Sequence, residues 1–396
     1  MEVEYSSVIR EIDALQKAIF FSANYWGKNS MFVGSHQIAK KLVDHGWKVA
    51  FVGNPISPFH LLKKRNEELK ERIYNYKSNG ITYLNGNLLS YVPGTLVVPK
   101  DFPGFRSDYI YHNFYKFTNK NILDVLAING FQKVDLVYFD NMTYAGLLDE
   151  LYYHKSLFRI ADKNTGFSTW DKDLLEKRER DLAQKVDCVV YSSKSLRDYA
   201  VSLGNPKNML LENGVDIELF EKKLSNSRGK TKGIEPIILY CGAVSKWFDL
   251  DLLYYAATER PNYQFYVVGN SSNMKYKCMD NLHFLGRHSY DEVIDFIVNA
   301  DVGIIPFNVN DYKELIDYVN PLKLYEYMAG GLPVVSSSWE TLRRLNTPAK
   351  LYHDKEEFIE CLDVAVRDGK DNSYCEFAKK YSWDVKVKKL LRELNL

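Results

Sequence analysis

Residues Asn320 to Val335 read Asn-Pro-Leu-Lys-Leu-Tyr-Glu-Tyr-Met-Ala-Gly-Gly-Leu-Pro-Val-Val. Asn320 has the chemistry of an N-cap and Pro321 suits a first helical position, so a helix is expected to begin here with its positive dipole end exposed. Gly330-Gly331 ends it, and Leu332 to Ser336 reads as a buried strand. Lys323 and Glu326 fall one turn apart on the same helical face. A cation beside a helix start suits phosphates, and a carboxylate one turn on suits ribose hydroxyls. The window therefore reads as a site for a nucleoside diphosphate. The alternative is an ordinary connecting helix whose Lys and Glu are solvated.

Outward from this window, apolar strands alternate with helical stripes, and the pattern occurs twice. In the second half, Ile237 to Tyr240, Phe265 to Val268, Leu282 to Phe284 and Val302 to Ile305 read as strands. Ser289 with Glu292 forms a capping box for a helix over Tyr290 to Asn299. In the first half, Ala18 to Ser22 and Lys48 to Val52 flank a helix near Met31 to Asp44, which makes a βαβ unit. Runs at Leu136 to Phe139, Leu157 to Ile160, Cys188 to Tyr191 and Met209 to Leu211 extend its parallel sheet. The fold class is α/β, with two doubly wound, Rossmann-like domains. Glu221 to Gly233, rich in Lys, Ser, Asn and Gly, is the expected linker. The expected division is 1–220, linker 221–233, a second domain over 234–375, and a C-terminal helix within 376–396 that returns to the first domain. Ligands of doubly wound sheets bind outside the carboxyl ends of the strands, which puts the expected active site in a cleft between the domains.

Composition narrows the class. With 396 residues and 46% hydrophobic content, the chain can bury two cores. A formal charge of +1 gives no overall basic field, so no nucleic-acid partner is expected. Cys188, Cys241, Cys278, Cys361 and Cys375 are scattered and read as reduced core thiols of a cytosolic protein. No Cys/His cluster has metal-ligand spacing, and neither a Gly-x-Gly-x-x-Gly turn nor a P-loop occurs, so no metal or other cofactor is expected. Asp249-Leu250-Asp251 resembles the short acidic pair with which some sugar transferases hold a cation, but Asp249 also reads as a helix start. The acidic N-terminus lacks a secretory layout, and no run approaches the ~20 apolar residues that span a bilayer.

Further segments, in order along the chain, carry a resemblance. They are Asn29 to Leu62, with Gly34-Ser35-His36 and Asn54-Pro55-Ile56-Ser57-Pro58; Phe158-Arg159-Ile160-Ala161-Asp162; Gly242 to Asp249, with Trp247-Phe248-Asp249; and Leu285-Gly286-Arg287-His288. With the 320–335 window, the chain resembles the two-domain glycosyltransferases of the GT-B architecture. Among them it is similar to bacterial xanthan-type glucuronosyltransferases and teichuronic acid glycosyltransferases. The resemblance implies Asp162 as catalytic base, Lys246, Arg287, Asn320, Leu322, Lys323 and Glu326 on a UDP-sugar donor, and Ser35 and His36 toward the acceptor. It further implies glucuronate as the transferred sugar and a lipid-linked saccharide acceptor, in capsule or exopolysaccharide biosynthesis. Many retaining relatives place two glutamates eight positions apart; Tyr318 stands eight before Glu326, which favours inversion.

Asp162 also has a case of its own. It follows an apolar strand at its carboxyl end, where a general base can face a cleft, although Asp162 to Gly166 equally reads as a capped turn. Arg287 and His288 frame either a base or a solvated turn, and His36 is either an acceptor contact or a helix-surface histidine. Lys246 and Arg287 are equal candidates for reading a uronate carboxylate. Aromatic residues in Phe105 to Phe117 and basic residues in Leu61 to Lys77 suit a peripheral contact with the inner face of the cell membrane; a core-filling loop and a solvated helix are the alternatives. Other functions that remain open are a retaining transferase with another UDP-hexose, a nucleotide-sugar epimerase of the same architecture, and a carbohydrate-binding relative without chemistry.

Overall fold

The computed structural model describes residues 15–28, 30, 32–61, 66–97, 104–164, 171–227, 235–270 and 276–396. Its strands form where apolar runs are buried on both faces: Ala18 to Phe21 and Leu136 to Phe139 have no exposed surface. Such strands read as continuous hydrophobic runs because helices cover both sides of a parallel sheet.

The first unit comprises residues 1–192, 197–211 and 387–396. It contains β1 (Lys17–Phe21), β2 (Lys48–Val52), β3 (Ile81–Tyr83), β4 (Leu88–Tyr91), β5 (Lys133–Phe139), β6 (Tyr152–Ile160), β7 (Cys188–Tyr191) and β8 (Asn208–Leu210). Their order in the sheet is β3-β4-β2-β1-β5-β6-β7-β8, and only the β3–β4 pair is antiparallel. The chain travels outward from β1 through β2 and then returns to β5 on β1's other side. That reversal makes the β1/β5 junction the switch point at which ligands bind in such sheets.

The second unit comprises residues 193–196 and 212–386. It contains β9 (Ile237–Cys241), β10 (Gln264–Val268), β11 (Leu282–Gly286), β12 (Val302–Ile305), β13 (Val334–Ser337) and β14 (Lys350–Tyr352). They are parallel, in the order β11-β10-β9-β12-β13-β14, so the switch point lies between β9 and β12. The helix Tyr290–Asn299 carries the expected capping box, with Ser289 accepting from the Glu292 amide.

Two expected boundaries are corrected. The linker expected over 221–233 begins as helix Ile217–Ser227, because Ile217, Phe220 and Leu224 form a stripe that packs into the second core. Lys223 of that helix bonds Asp291 at 2.8 Å, and residues 228–233 lie outside the described residues. The division falls at 211/212, and the chain rejoins the first unit at residue 387, partway through helix Trp383–Leu394, rather than at 376. The cysteines are all free thiols, but Cys278 is exposed and only Cys188 and Cys241 are buried. No helix among the described residues is long and apolar enough to cross a membrane.

Gly242 and Gly269, just past the ends of β9 and β10, have φ of 153° and 155°. A Cβ on Gly269 would lie 1.8 Å from the Gly242 carbonyl oxygen, a collision of backbone with side chain that rotamer change cannot relieve. Gly46 also has positive φ, but a Cβ there meets nothing within 4 Å. Gly269→Ala is expected to destabilise the protein by about 3 kcal/mol and Gly46→Ala by only about 1 kcal/mol, measured by urea denaturation. Equal effects would show that the close approach is not rigid.

Candidate functional site

The second unit's site is built on that glycine contact. Lys323 is the second residue of helix Leu322–Ala329, and its side chain runs over the bare backbone of Gly242: a Cβ there would sit 3.1 Å from Lys323 Cε and 3.3 Å from Nζ. The ammonium lies 4.9 Å from the ring centre of Phe307, just past β12, and 5.3 Å from that of Tyr240 on β9. Lys323 therefore stands on the β9/β12 switch point. No side chain caps the helix at Pro321, so its positive end coincides with the lysine. An ammonium over rings is worth about 0.5–2 kcal/mol, whereas hydrogen bonds to a charged group reach about 1.5–3 kcal/mol each. A phosphate arriving here would take the lysine from its rings.

Glu326, half-buried one turn further on, accepts a 3.0 Å hydrogen bond at Oε1 from Tyr290, the first residue of the helix after β11. Burial pushes its carboxyl up from the usual range, and Tyr290 and Lys323 oppose the shift. Leu322 is half-buried at the helix start, while Lys246, after β9, and Arg287, after β11, are exposed along the same carboxyl edge of the sheet. Lys246 Nζ lies 5.5 Å from the Tyr312 ring centre. Asp249 caps helix Leu250–Glu259 by accepting from the Leu252 amide at 2.9 Å.

Asn320 is not the expected N-cap or donor contact. It is 4% exposed, its Oδ1 accepts from Tyr325 at 2.8 Å, and its carbonyl accepts from Asn213 at 2.6 Å. Tyr325's hydroxyl takes the side-chain oxygen that a cap would have used, and the helix starts one residue later.

In the first unit, Asp162 lies half-buried in a bend two residues beyond β6. The carbonyl of Ala161 before it accepts from the Ser192 hydroxyl. At the β1/β5 switch point the carboxylate is Asp140, which accepts from Ser22 Oγ at 2.9 Å and from the Ala23 amide at 2.8 Å. Burial raises its pKa, and hydrogen bonds from Ser35, Ala23 and Ser22 oppose the rise. Asp140 carries one sequence signal, an aspartate directly after an apolar strand, and Tyr290 carries none.

Ser35 and His36 are corrected. Both have no exposed surface, so neither faces an acceptor. Ser35 lies under the Ser22 hydroxyl, at 3.5 Å. The His36 ring is enclosed by Trp26, Phe32 and Phe51, with Nε2 3.0 Å from the Tyr25 carbonyl. Aromatic partners from outside its own helix turn its face inward.

Comparison with known proteins gives a consistent result. Residues 20–192 match the family described as "Glucuronosyltransferase GumK, N-terminal domain", and residues 235–368 match "Glycosyl transferases group 1". The chain is 25% identical over 253 residues to the "Putative teichuronic acid biosynthesis glycosyltransferase TuaH" of Bacillus subtilis, a match over 59% of this chain and 63% of that protein. Among solved structures, sucrose-phosphate synthase from Thermosynechococcus elongatus superposes with a TM-score of 0.66 at 15% identity, covering 96% of this chain and 99% of that one. Anabaena HepE in complex with UDP-glucose gives 0.60 at 12% identity, covering 96% and 99%. At these identities the structural likeness is one of fold, and the fold is GT-B.

The enclosure of His36 has a consequence for stability. Burial lowers its pKa from 6.5 to about 4, so between these values the unfolded chain binds the proton and the folded chain does not. The stabilisation is complete above about pH 6.5 and is lost as pH falls toward 4, at a cost of about 3 kcal/mol. Denaturant titrations should show this loss in the wild type and a smaller one in His36→Asn; an NMR-observed His36 titration near pH 6.5 would contradict it.

Proposed function

We propose, on the premise that this chain belongs to the GT-B glycosyltransferases, that it moves a sugar from a UDP-sugar to a saccharide hydroxyl with inversion at the anomeric carbon. The observation that carries the reading is Lys323 laid across Gly242 at an uncapped helix start on the β9/β12 switch point. That is a cationic phosphate cradle where a doubly wound sheet binds its ligand. A UDP-sugar donor is supported by the HepE structure, which is a complex with UDP-glucose. The GumK match over the first unit supports glucuronate as the sugar.

In the proposed step, Asp162 takes the proton of the acceptor hydroxyl as its oxygen attacks the anomeric carbon. The bond from that carbon to the diphosphate oxygen breaks, and UDP leaves with the electron pair. Lys323, the start of helix Leu322–Ala329 and the nearby Lys246 meet the growing charge, a role assigned here without a metal. Glu326, oriented by Tyr290, receives ribose hydroxyls, and Arg287 or Lys246 reads the uronate carboxylate.

The proposed acceptor is a lipid-linked saccharide, reached through peripheral contact with a membrane. Phe59, Tyr74 and Tyr109 support this, because each exposes more than three-fifths of its surface on the first unit. Two observations narrow the surface. Tyr111, Phe114 and Tyr115 fill the core, and Arg72 turns inward to the carbonyls of Asn54 and Pro55 at 2.9 and 3.2 Å. Lys63, Lys64 and Arg65 lie outside the described residues.

UDP release from a panel of UDP-sugars, with and without a lipid-sugar extract and EDTA, tests the reading. Acceptor-dependent release is expected to survive EDTA, to fall by about 10²–10⁴ in Asp162→Asn and by about 10² in Lys323→Met. Unchanged release in Asp162→Asn removes the base, loss with EDTA removes the metal-free step, and retained anomeric configuration by NMR removes inversion. Whichever of Lys246→Ala and Arg287→Ala raises KM for UDP-glucuronate but not for UDP-glucose identifies the carboxylate reader.

A further inference from the structure

Helix Lys172–Lys185 is charged along most of its length, yet its Glu179 has no exposed surface. The Glu179 carboxylate is held on both sides. Oε1 accepts from Asn164 Nδ2 at 2.6 Å, and Oε2 accepts from the hydroxyl of Tyr199 on helix Arg197–Ser202. Lys163 Nζ stands 5.4 Å from the centre of the Tyr199 ring, which links a second residue of the same turn to the cluster. Burial raises the Glu179 carboxyl pKa, while Tyr199, Asn164 and Lys163 act to lower it.

A buried carboxylate costs several kcal/mol unless its oxygens are satisfied, and an apolar residue of similar size would have filled the space at less cost. What Glu179 supplies instead is direction. It fixes an amide and a phenol at one point, so the turn that follows β6, through Asn164, is anchored to helix Arg197–Ser202, through Tyr199. Lys163 and Asn164 come directly after Asp162, and the Ala161 carbonyl directly before it is bonded to Ser192. The bend carrying Asp162 is thus tied at both ends to the first unit's buried interior.

We propose that Glu179, with Tyr199, is a positioning residue that holds Asn164 and so aims the Asp162 carboxylate at the acceptor hydroxyl. The proposal rests on Asp162 being the general base. It assigns Glu179 no contact with donor or acceptor, so its removal acts on the rate of the step and not on nucleotide binding. Misplacing a reacting group by about 1 Å can cost about a hundredfold in rate. Glutamine at 179 can still accept from one donor, and a flipped Asn164 amide can accept from it. Glu179→Gln is therefore the partial rescue and Glu179→Ala the full loss.

The test uses the full chain with UDP-glucuronate and the lipid-sugar extract. Glu179→Gln is expected to lower kcat about tenfold and Glu179→Ala about a hundredfold, with the donor KM and the UDP Kd unchanged. In an Asp162→Asn background Glu179→Gln should cause no further loss, because the clamp acts only through Asp162. An activity-independent arm is hydrogen exchange, where Glu179→Gln should speed exchange at residues 161–164 and leave β5 and β7 as in the wild type. Wild-type kcat in Glu179→Gln and Glu179→Ala alongside a dead Asp162→Asn overturns the clamp alone, as does an equal further loss in the Asp162→Asn background. An active Asp162→Asn overturns the base assignment, and unchanged exchange at 161–164 overturns the clamp whatever the chemistry.

Discussion

Backbone meets backbone at the carboxyl ends of β9 and β10, and the second unit's site depends on that contact. With no Cβ at Gly242 or Gly269, the two strand ends pass close enough to leave a flat patch of main chain. The Lys323 stem lies on that patch, which sets the height of its ammonium above the sheet. A Cβ at Gly242 would lie 3.1 Å from Lys323 Cε and 3.3 Å from Nζ, so the lysine would have to shift by a few tenths of an ångström. Tyr327 ties the arrangement down from below: its hydroxyl accepts from the Cys241 amide at 2.6 Å, linking helix Leu322–Ala329 to the end of β9. Position of charge, not its quantity, distinguishes this lysine on a chain with a net charge of only +1.

The first unit solves a different problem, the placing of carboxylates at a sheet edge. Asp140 is held within the switch point by Ser22 and Ala23, and burial raises its pKa. Asp162 lies beyond it, on a bend tied through Ala161 and Asn164 to side chains in the interior. The inner carboxylate fixes the loop after β1, and the outer one is the proposed base. Both arrangements bury polar groups, and both give each buried oxygen a donor.

The architecture was legible where one face of the argument sufficed. Strands buried on both sides, such as Val302–Ile305, announce themselves as apolar runs, and the capping box at Ser289 marks its helix by local chemistry alone. The short strands Ile81–Tyr83 and Lys350–Tyr352 escaped notice because three residues at a sheet edge carry no period. That Lys323 and Glu326 share a helix could be read because both lie on one helical turn. Asn320 and His36 were misread because their partners, Tyr325 and Asn213 in one case and Trp26 and Phe51 in the other, are chosen by packing. Glu179 was invisible for the same reason: within Lys-Arg-Glu-Arg it looks like solvated surface, and only Asn164 and Tyr199 make it interior.

The central claim, that the Lys323 cradle at the β9/β12 switch point holds the nucleotide's diphosphate, is tested most directly by a crystal structure of the chain with UDP. The account predicts a phosphate oxygen about 3 Å from Lys323 Nζ, at the start of helix Leu322–Ala329, with the ribose toward Glu326. UDP bound elsewhere, with Lys323 still lying over Gly242, would contradict it.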